Sequence, residues 1–345
     1  MAKTTPDDTA PRDLFDRPLA DLRISVTDRC NFRCTFCMPA EQKYDFLPRP
    51  QILTFEEIAQ LARCFVDLGV EKIRLTGGEP LLRSSIEVLI GALSGISGVR
   101  DLALTTNAYL LEEKAVGLRD AGLDRVTVSL HSLDPQVFAR VNGLGLPLDR
   151  VLRGIAAAVE AGLGPVKVNS VVLEGENEHE ILDLARYGRD QGCVVRFIEY
   201  MDVGTLNSWD PDKVVSARQI VDTIDAVYPL EPVHRDRPGD VAERYRYRDG
   251  AGEIGVITSV TQPFCGDCSR VRLSADGRVY TCLFSAIGHD LKTPLRAGET
   301  PDQLRQRIAD LWRQRTDRYS EERTAALLRG DFVPADKIEM FRIGG

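Results

Sequence analysis

Three thiols stand within eight residues of this chain, in Cys30-Asn31-Phe32-Arg33-Cys34-Thr35-Phe36-Cys37. The spacing is C-x3-C-x2-C, directly after an apolar, strand-like run at Leu22–Val26. A structural zinc site takes four ligands, and so does a fully protein-ligated iron–sulfur cluster. Three thiolates on one loop therefore leave a metal position open, and an open iron can bind and reduce a substrate. A second triplet lies far downstream, Cys265-x2-Cys268-x13-Cys282. Arg270 and Arg272 follow its first pair on a strand-like run, so both point to one face. Paired guanidiniums beside an open metal suit an anion such as a phosphate chain. The other two cysteines, Cys64 and Cys193, sit among apolar residues and read as core thiols. Either could instead complete a zinc ribbon with the second triplet.

The elements that must position these residues alternate. Strands are expected at Leu22–Val26, Lys72–Thr76, Asp101–Thr105, Arg125–Leu130, Val166–Val172 and Val194–Glu199. Helical stretches lie between them, the first opened by a capping box, Thr54 with Glu57. Others are expected at Leu81–Leu93, Glu112–Ala121, Val151–Ala161 and Glu178–Asp190, with Gly69, Gly122, Gly162 and Gly192 as C-terminal caps. Such alternation gives a parallel sheet with crossover helices, either doubly wound or barrel-like. Residues with chemical potential end every strand: the cysteine loop, Gly77-Gly78-Glu79-Pro80, Thr105-Thr106-Asn107, Ser129, Lys167 with Asn169, and Arg196 to Met201. That distribution suits a barrel mouth better than a single crevice. Beyond Asp202 the pattern changes: a helix at Ser216–Val227, a linker at Pro229–Asp240, strands at Arg244–Arg248, Glu253–Thr258, Arg270–Ser274 and Arg278–Cys282, then helices at Pro301–Arg315 and Tyr319–Arg329.

Composition narrows the class. The net charge of −8 argues against a general nucleic-acid binder. No apolar run approaches the ~20 residues of a membrane span. Residues 1–13 are polar and acidic, lack a leader pattern, and read as a disordered lead-in to a cytoplasmic protein. In a reducing compartment the eight cysteines favour metal binding over disulfides.

The first triplet, with an aromatic residue before Cys37, resembles the cluster motif of the radical S-adenosylmethionine (SAM) enzymes. Gly77-Gly78-Glu79-Pro80 is similar to the loop by which they contact the methionine end of SAM. More specifically, Asp21 to Cys30, Ile73 to Pro80, Arg196 to Met201, Cys265 to Arg272 and the terminal Gly344-Gly345 resemble the molybdenum cofactor biosynthesis A family, the GTP 3′,8-cyclases. The resemblance runs from about Leu14 to the C-terminus.

It implies an α/β fold: a partial (β/α)6 TIM-like barrel over residues 14–235, and a C-terminal α+β domain over 236–345 carrying a second cluster. It implies two 4Fe–4S clusters, one held by Cys30, Cys34 and Cys37, the other by Cys265, Cys268 and Cys282, whose open iron binds guanine. It implies contacts to SAM from Phe36, Gly78, Ser129 and Met201, and to GTP from Arg23, Arg74, Thr105, Lys167, Arg270, Val271 and Arg272, with Arg196 lining the cavity and the Gly344-Gly345 tail entering it. The activity implied is a lyase reaction. A SAM-derived 5′-deoxyadenosyl radical takes H3′ of GTP, and the C3′ radical adds to guanine C8, giving 3′,8-cyclo-7,8-dihydroguanosine triphosphate, 5′-deoxyadenosine and methionine. The partners implied are an external electron donor, flavodoxin or ferredoxin, and the next pathway enzyme, cyclic pyranopterin monophosphate synthase. Monomer and homodimer both fit.

No residue is assigned as a general acid or base. The family pattern has Tyr where Phe36 stands, Gly where Ala108 stands and Asp where His131 stands; His131 is expected to fill space rather than titrate. Competing readings are a peptide-modifying radical SAM enzyme with an auxiliary cluster, and a zinc-binding protein without catalytic activity.

Overall fold

A computed structural model describes residues 10–234 and 239–344. Six parallel strands follow one another in order: β1 Asp21–Ser25, β2 Lys72–Thr76, β3 Asp101–Thr106, β4 Arg125–Ser129, β5 Lys167–Val172 and β6 Val194–Glu199. The later strands are β7 Leu230–Val233, β8 Glu243–Tyr247, β9 Glu253–Ile257, β10 Arg270–Leu273, β11 Arg278–Tyr280 and β12 His289–Asp290. All twelve form one sheet in the order β12-β11-β10-β1-β2-β3-β4-β5-β6-β9-β8-β7. The C-terminal strands thus extend both edges of the N-terminal sheet, β10 parallel to β1 and β9 parallel to β6. The two ends of the strand order do not pair, so the barrel is open.

The expected boundary at 235/236 lies outside the described residues, as do residues 1–9 of the lead-in and Gly345 of the tail. Two expectations are corrected. Asp13 is not part of a loose lead-in: it is buried and ion-paired to Arg17 at 2.6 Å. Residues 230–233 of the expected linker form β7, which pairs antiparallel with β8. Pro232 masked it, but β7 is an edge strand, where a missing N–H is tolerated.

The sheet separates its two faces sharply. Leu22, Ile24, Ile73, Leu75, Leu102, Leu104, Val126, Val128, Val168, Val195 and Phe197 point outward into the core under the helices. The alternate positions, among them Arg23, Arg74, Thr105, Asn169 and Arg196, line the interior. A parallel sheet covered on both faces is normally apolar on both. A charged inner face is costly to bury unless something polar fills it.

Helices form in the expected stretches, that expected at Leu81–Leu93 starting only at Ile86, and the Thr54–Glu57 capping box is present in both directions. Gly69, Gly122, Gly162 and Gly192 all adopt positive φ. Ala108, where the family pattern has Gly, also takes a left-handed φ of 61°. The loop keeps that geometry at a cost of about 1 kcal/mol for the extra methyl.

Candidate active site

Both cysteine triplets line the same interior cavity. The first sits on the loop after β1, held from two sides. Gly78 N–H donates to the Thr27 carbonyl and Glu79 N–H to that of Arg29, each at 2.8 Å. From the other side Arg33 N–H donates to the Asn142 carbonyl at 2.8 Å. Gly77 and Gly78 are required by this approach. A Cβ on Gly77 would stand 2.5 Å from the Thr27 oxygen, and one on Gly78 2.2 Å from the Arg29 oxygen. Glu79 is buried and ties the loop to the end of β3, accepting from Thr106 Oγ1 at 2.7 Å and Asn107 N–H at 2.8 Å. Burial pushes its carboxyl up to about 7, against the pull of those hydrogen bonds. Asn107 Nδ2 in turn faces Cys30 Sγ at 3.9 Å.

The second triplet lies around the start of β10. Burial raises the Cys268 thiol, but Arg270 and Arg315 outweigh it and bring the group down to about 6. Both guanidiniums lie 3.3 Å from its sulfur. In the first triplet burial dominates, and Cys30 is pushed up to about 12. Thiols held protonated in this way become ligands only as a metal displaces the proton.

Between the triplets lies the charged inner face. Arg272, Arg23 and Arg74 stand in register across β10, β1 and β2. Arg74 donates to Thr105 Oγ1 at 3.1 Å and Thr127 Oγ1 at 2.9 Å, and Arg196 to Asn169 Oδ1 at 2.8 Å. The Nε atoms of Arg23, Arg74 and Arg270 are buried with no partner among the described residues. Burial brings Arg196 down to about 9, helped by repulsion from Arg125 and Arg23. A bound polyanion would relieve both the repulsion and the unmet donors.

The residues fit two iron–sulfur clusters better than zinc. Cys64 and Cys193, the candidates for a fourth ligand, are buried in the core, their sulfurs facing the carbonyls of Pro301 at 3.8 Å and Gln191 at 3.7 Å. Among the described residues no three Cys, His, Asp or Glu side chains converge as the ligands of one ion do.

Residues 24–188 match the family model Radical SAM superfamily, and residues 193–321 match Molybdenum Cofactor Synthesis C. The chain is 52% identical over 341 residues to the GTP 3′,8-cyclase of Acidothermus cellulolyticus, covering 97% of this chain and 94% of that one. The chain belongs to the GTP 3′,8-cyclase family. The cyclase of Aquifex aeolicus is 48% identical over 96% of this chain and 99% of its own length. Among solved structures, Streptococcus suis SuiB bound to S-adenosylmethionine shares the fold at a TM-score of 0.60. It is 16% identical, over 90% of this chain and 68% of that one.

The cyclase-family residues expected from the sequence are mostly brought together. Phe36, Gly78, Ser129 and Met201 line the cavity that both triplets share, and Arg23, Arg74, Thr105, Arg196, Arg270 and Arg272 line it as well. One expected GTP contact differs. The Val271 side chain points away into the core, so only its backbone can face the cavity. Lys167 lies two residues before the lining residue Asn169, on the same face of β5, and its ammonium is repelled by Arg196 and Arg74 of the cavity. Gly344 is buried at the barrel mouth, and its carbonyl accepts from Arg272 at 2.5 Å. The tail, as far as it is described, meets two residues that line the cavity, Arg272 and Thr76. His131 stacks edge-on against Phe36 at 4.8 Å and accepts the Val171 N–H at Nδ1. It lines the cavity, and burial holds it down at about 4.

The sequence reading missed Arg315, Asp317 and Ser320, which line the cavity from the C-terminal helical region. It also missed Asp202, just past β6, which accepts from Tyr319, Arg323 and Lys337 and anchors that region. No local spacing marks Asp202, because these partners lie more than a hundred positions away in sequence.

Proposed function

We infer that this protein is a GTP 3′,8-cyclase of molybdenum cofactor biosynthesis. The observation that carries the reading is the pairing of two cysteine triplets in one arginine-lined cavity, in a chain 52% identical to a named cyclase. Cys30, Cys34 and Cys37 would hold one 4Fe–4S cluster, and Cys265, Cys268 and Cys282 the other. When bound and reduced, the first cluster with SAM would supply the 5′-deoxyadenosyl radical for removal of H3′ of GTP; bonding of C3′ to guanine C8 would then be completed by one electron from the external donor and one proton.

The chain's own part is placement. Gly78 and the Phe36 backbone would bring SAM against the first triplet, with Ser129 and Met201 on its adenosine side. Arg270 and Arg272, paired guanidiniums beside the second triplet, would contact GTP there through its phosphate chain. Arg23, Arg74, Thr105, Lys167 and Arg196 would take the triphosphate. Fixing both substrates this way makes the hydrogen transfer effectively unimolecular, and the buried walls keep water from the reacting carbons. Electrons would come from flavodoxin or ferredoxin, and the product would pass to cyclic pyranopterin monophosphate synthase. Among the described residues no helix is long and apolar enough to cross a membrane, and a cytoplasmic location fits these soluble partners.

The SuiB likeness extends to a form bound to a precursor peptide, but at 15% identity it carries the fold alone. The test of the second site is Cys268→Ser after anaerobic reconstitution. The parent should bind about eight irons. The variant should keep the SAM-responsive spectrum of the first cluster and form no cyclised product. Normal product formation in the variant, or stoichiometric zinc without iron in the parent, would overturn the reading.

Lys167 gives a prediction in pH. Burial pushes its ammonium down to about 8, with repulsion from Arg196, Arg125, Lys72 and Arg74 adding to it. A lowered value means that the charge is present below about 8 and lost above it. GTP binding, followed calorimetrically, should therefore weaken as pH rises past that point, by up to about tenfold per pH unit. Lys167→Met should bind GTP more weakly at pH 7 and lose the step. A step of the same size in the variant would remove Lys167 from the triphosphate site.

A further inference from the structure

The second triplet is gripped by four buried or half-buried charges, two of which precede β1 and lie outside both matched family regions. Arg17 NH1 donates to the Cys265 carbonyl at 2.7 Å and to the Asp317 carbonyl at 2.9 Å. Arg315 NH1 donates to the Cys268 carbonyl at 2.6 Å, and its NH2 lies 3.3 Å from the Cys268 sulfur. Asp13 joins the two arginines, 2.6 Å from Arg17 and 3.3 Å from Arg315. Asp317 pairs with Arg315 at 3.3 Å and accepts from Thr281 Oγ1 at 2.6 Å, one residue before Cys282. Every cysteine of the triplet is thus held directly or through its neighbour.

Holding the fold does not require this arrangement. The side chains of Asp13, Arg17 and Arg315 are 0%, 2% and 1% exposed, and desolvating such ions costs several kcal/mol each. Well-packed apolar residues would secure the same loop at least as well. What charges add is a field at the sulfur. Arg315 is fixed by stacking on Trp312, 4.6 Å from the ring centre, whose indole N–H is held by the Arg17 carbonyl at 3.0 Å. Its guanidinium cannot swing away from Cys268. Hydrogen bonds to cluster sulfurs and local net charge are the protein's means of setting a cluster's potential.

We propose that Asp13, Arg17, Arg315 and Asp317 form a clamp that positions the second triplet and sets the reduction potential of the cluster it holds. Arg315 shifts that potential upward and Asp13 moderates the shift. The N-terminal segment is therefore a working part of the second site. This inference rests on the second cluster proposed above.

The sign of the effect provides the test. Arg315→Gln removes the cation beside Cys268 and leaves the Asp13 carboxylate, so the midpoint potential of the second cluster should become more negative. Asp13→Asn removes the anion and leaves both arginines, so it should become more positive. Potentials are read by EPR-monitored redox titration of the reconstituted full chain, with the first cluster identified by its response to SAM and expected not to move. A purely structural role predicts lowered iron content with unmoved potentials in the clusters retained. Unmoved potentials, or shifts of the same sign in both variants, would overturn the clamp. Should Arg315→Gln fail to assemble, the positive shift in Asp13→Asn carries the test alone. A parent chain with only about four irons would instead overturn the second cluster itself, a distinct failure.

Discussion

Gly78→Ala should leave a folded chain with about half the parent's iron and at most about a hundredth of its 5′-deoxyadenosine production. The added Cβ would lie 2.2 Å from the Arg29 oxygen, 2.5 Å from its carbonyl carbon and 3.0 Å from the Cys30 nitrogen. All three are backbone atoms, so no rotamer change relieves the contact. The cysteine loop itself must move, and it carries the 2.8 Å hydrogen bonds that set its height above β2. Thiolates misplaced by such a shift no longer share one cluster. Buried contacts around the loop, including Val26, Leu53 and Phe32, remain to hold the fold. Iron content by colorimetric assay, together with circular dichroism, separates loss of the site from loss of the fold. A variant with full iron and normal deoxyadenosine would show that the loop tolerates a side chain and that Gly78 is not the constraint described.

Gly344→Ala should produce the opposite split: full iron, unchanged stability, and a fall in product of about a hundredfold. Gly344 has φ 73° and ψ 138°, a conformation that L side chains rarely adopt. A Cβ there would stand 2.0 Å from Thr76 Cγ2 and 2.9 Å from its Cβ. Thr76 is buried at the end of β2, so the tail must yield. The Arg272 guanidinium then loses the Gly344 carbonyl that it now meets at 2.5 Å. Arg272 is the cavity cation in register with Arg23, and freeing it disorders the seat proposed for GTP. The segment behind the tail, with Phe341 and Ile343 buried, stays anchored. Quantifying cyclised product against iron tests this; equal turnover in variant and parent would relegate the tail to a surface role.

How much of this was legible in the sequence depended on the range of the cause. The six core strands and their inward residues could be read because alternation has a period of two, and Arg23, Arg74 and Arg196 keep it. Cys30, Cys34 and Cys37 could be read because their ligand spacing is local. The helix at Pro135–Val141 was missed despite a local signal, an Asp134 cap followed by proline at the first position. The edge strand at 230–233 was hidden by Pro232 and by a charged neighbourhood typical of linkers. The clamp of Asp13 and Arg315 was not legible at all. Each looks like an ordinary surface charge, and the two meet only because the fold brings together positions 302 residues apart. The joining of the C-terminal strands to both edges of the barrel sheet was hidden for the same reason, since neither β1–β10 nor β6–β9 is a neighbour pairing in sequence.

The central claim is that the two triplets share one cavity so that SAM and GTP react within it. The most direct measurement is turnover of GTP deuterated at C3′ under anaerobic, reducing conditions, with mass analysis of both products. The account predicts one deuterium in 5′-deoxyadenosine, none anywhere in the cyclised nucleotide, and no 5′-deoxyadenosine formed in response to ATP. 5′-deoxyadenosine free of deuterium alongside cyclised product, or 5′-deoxyadenosine formed equally with ATP, would contradict it.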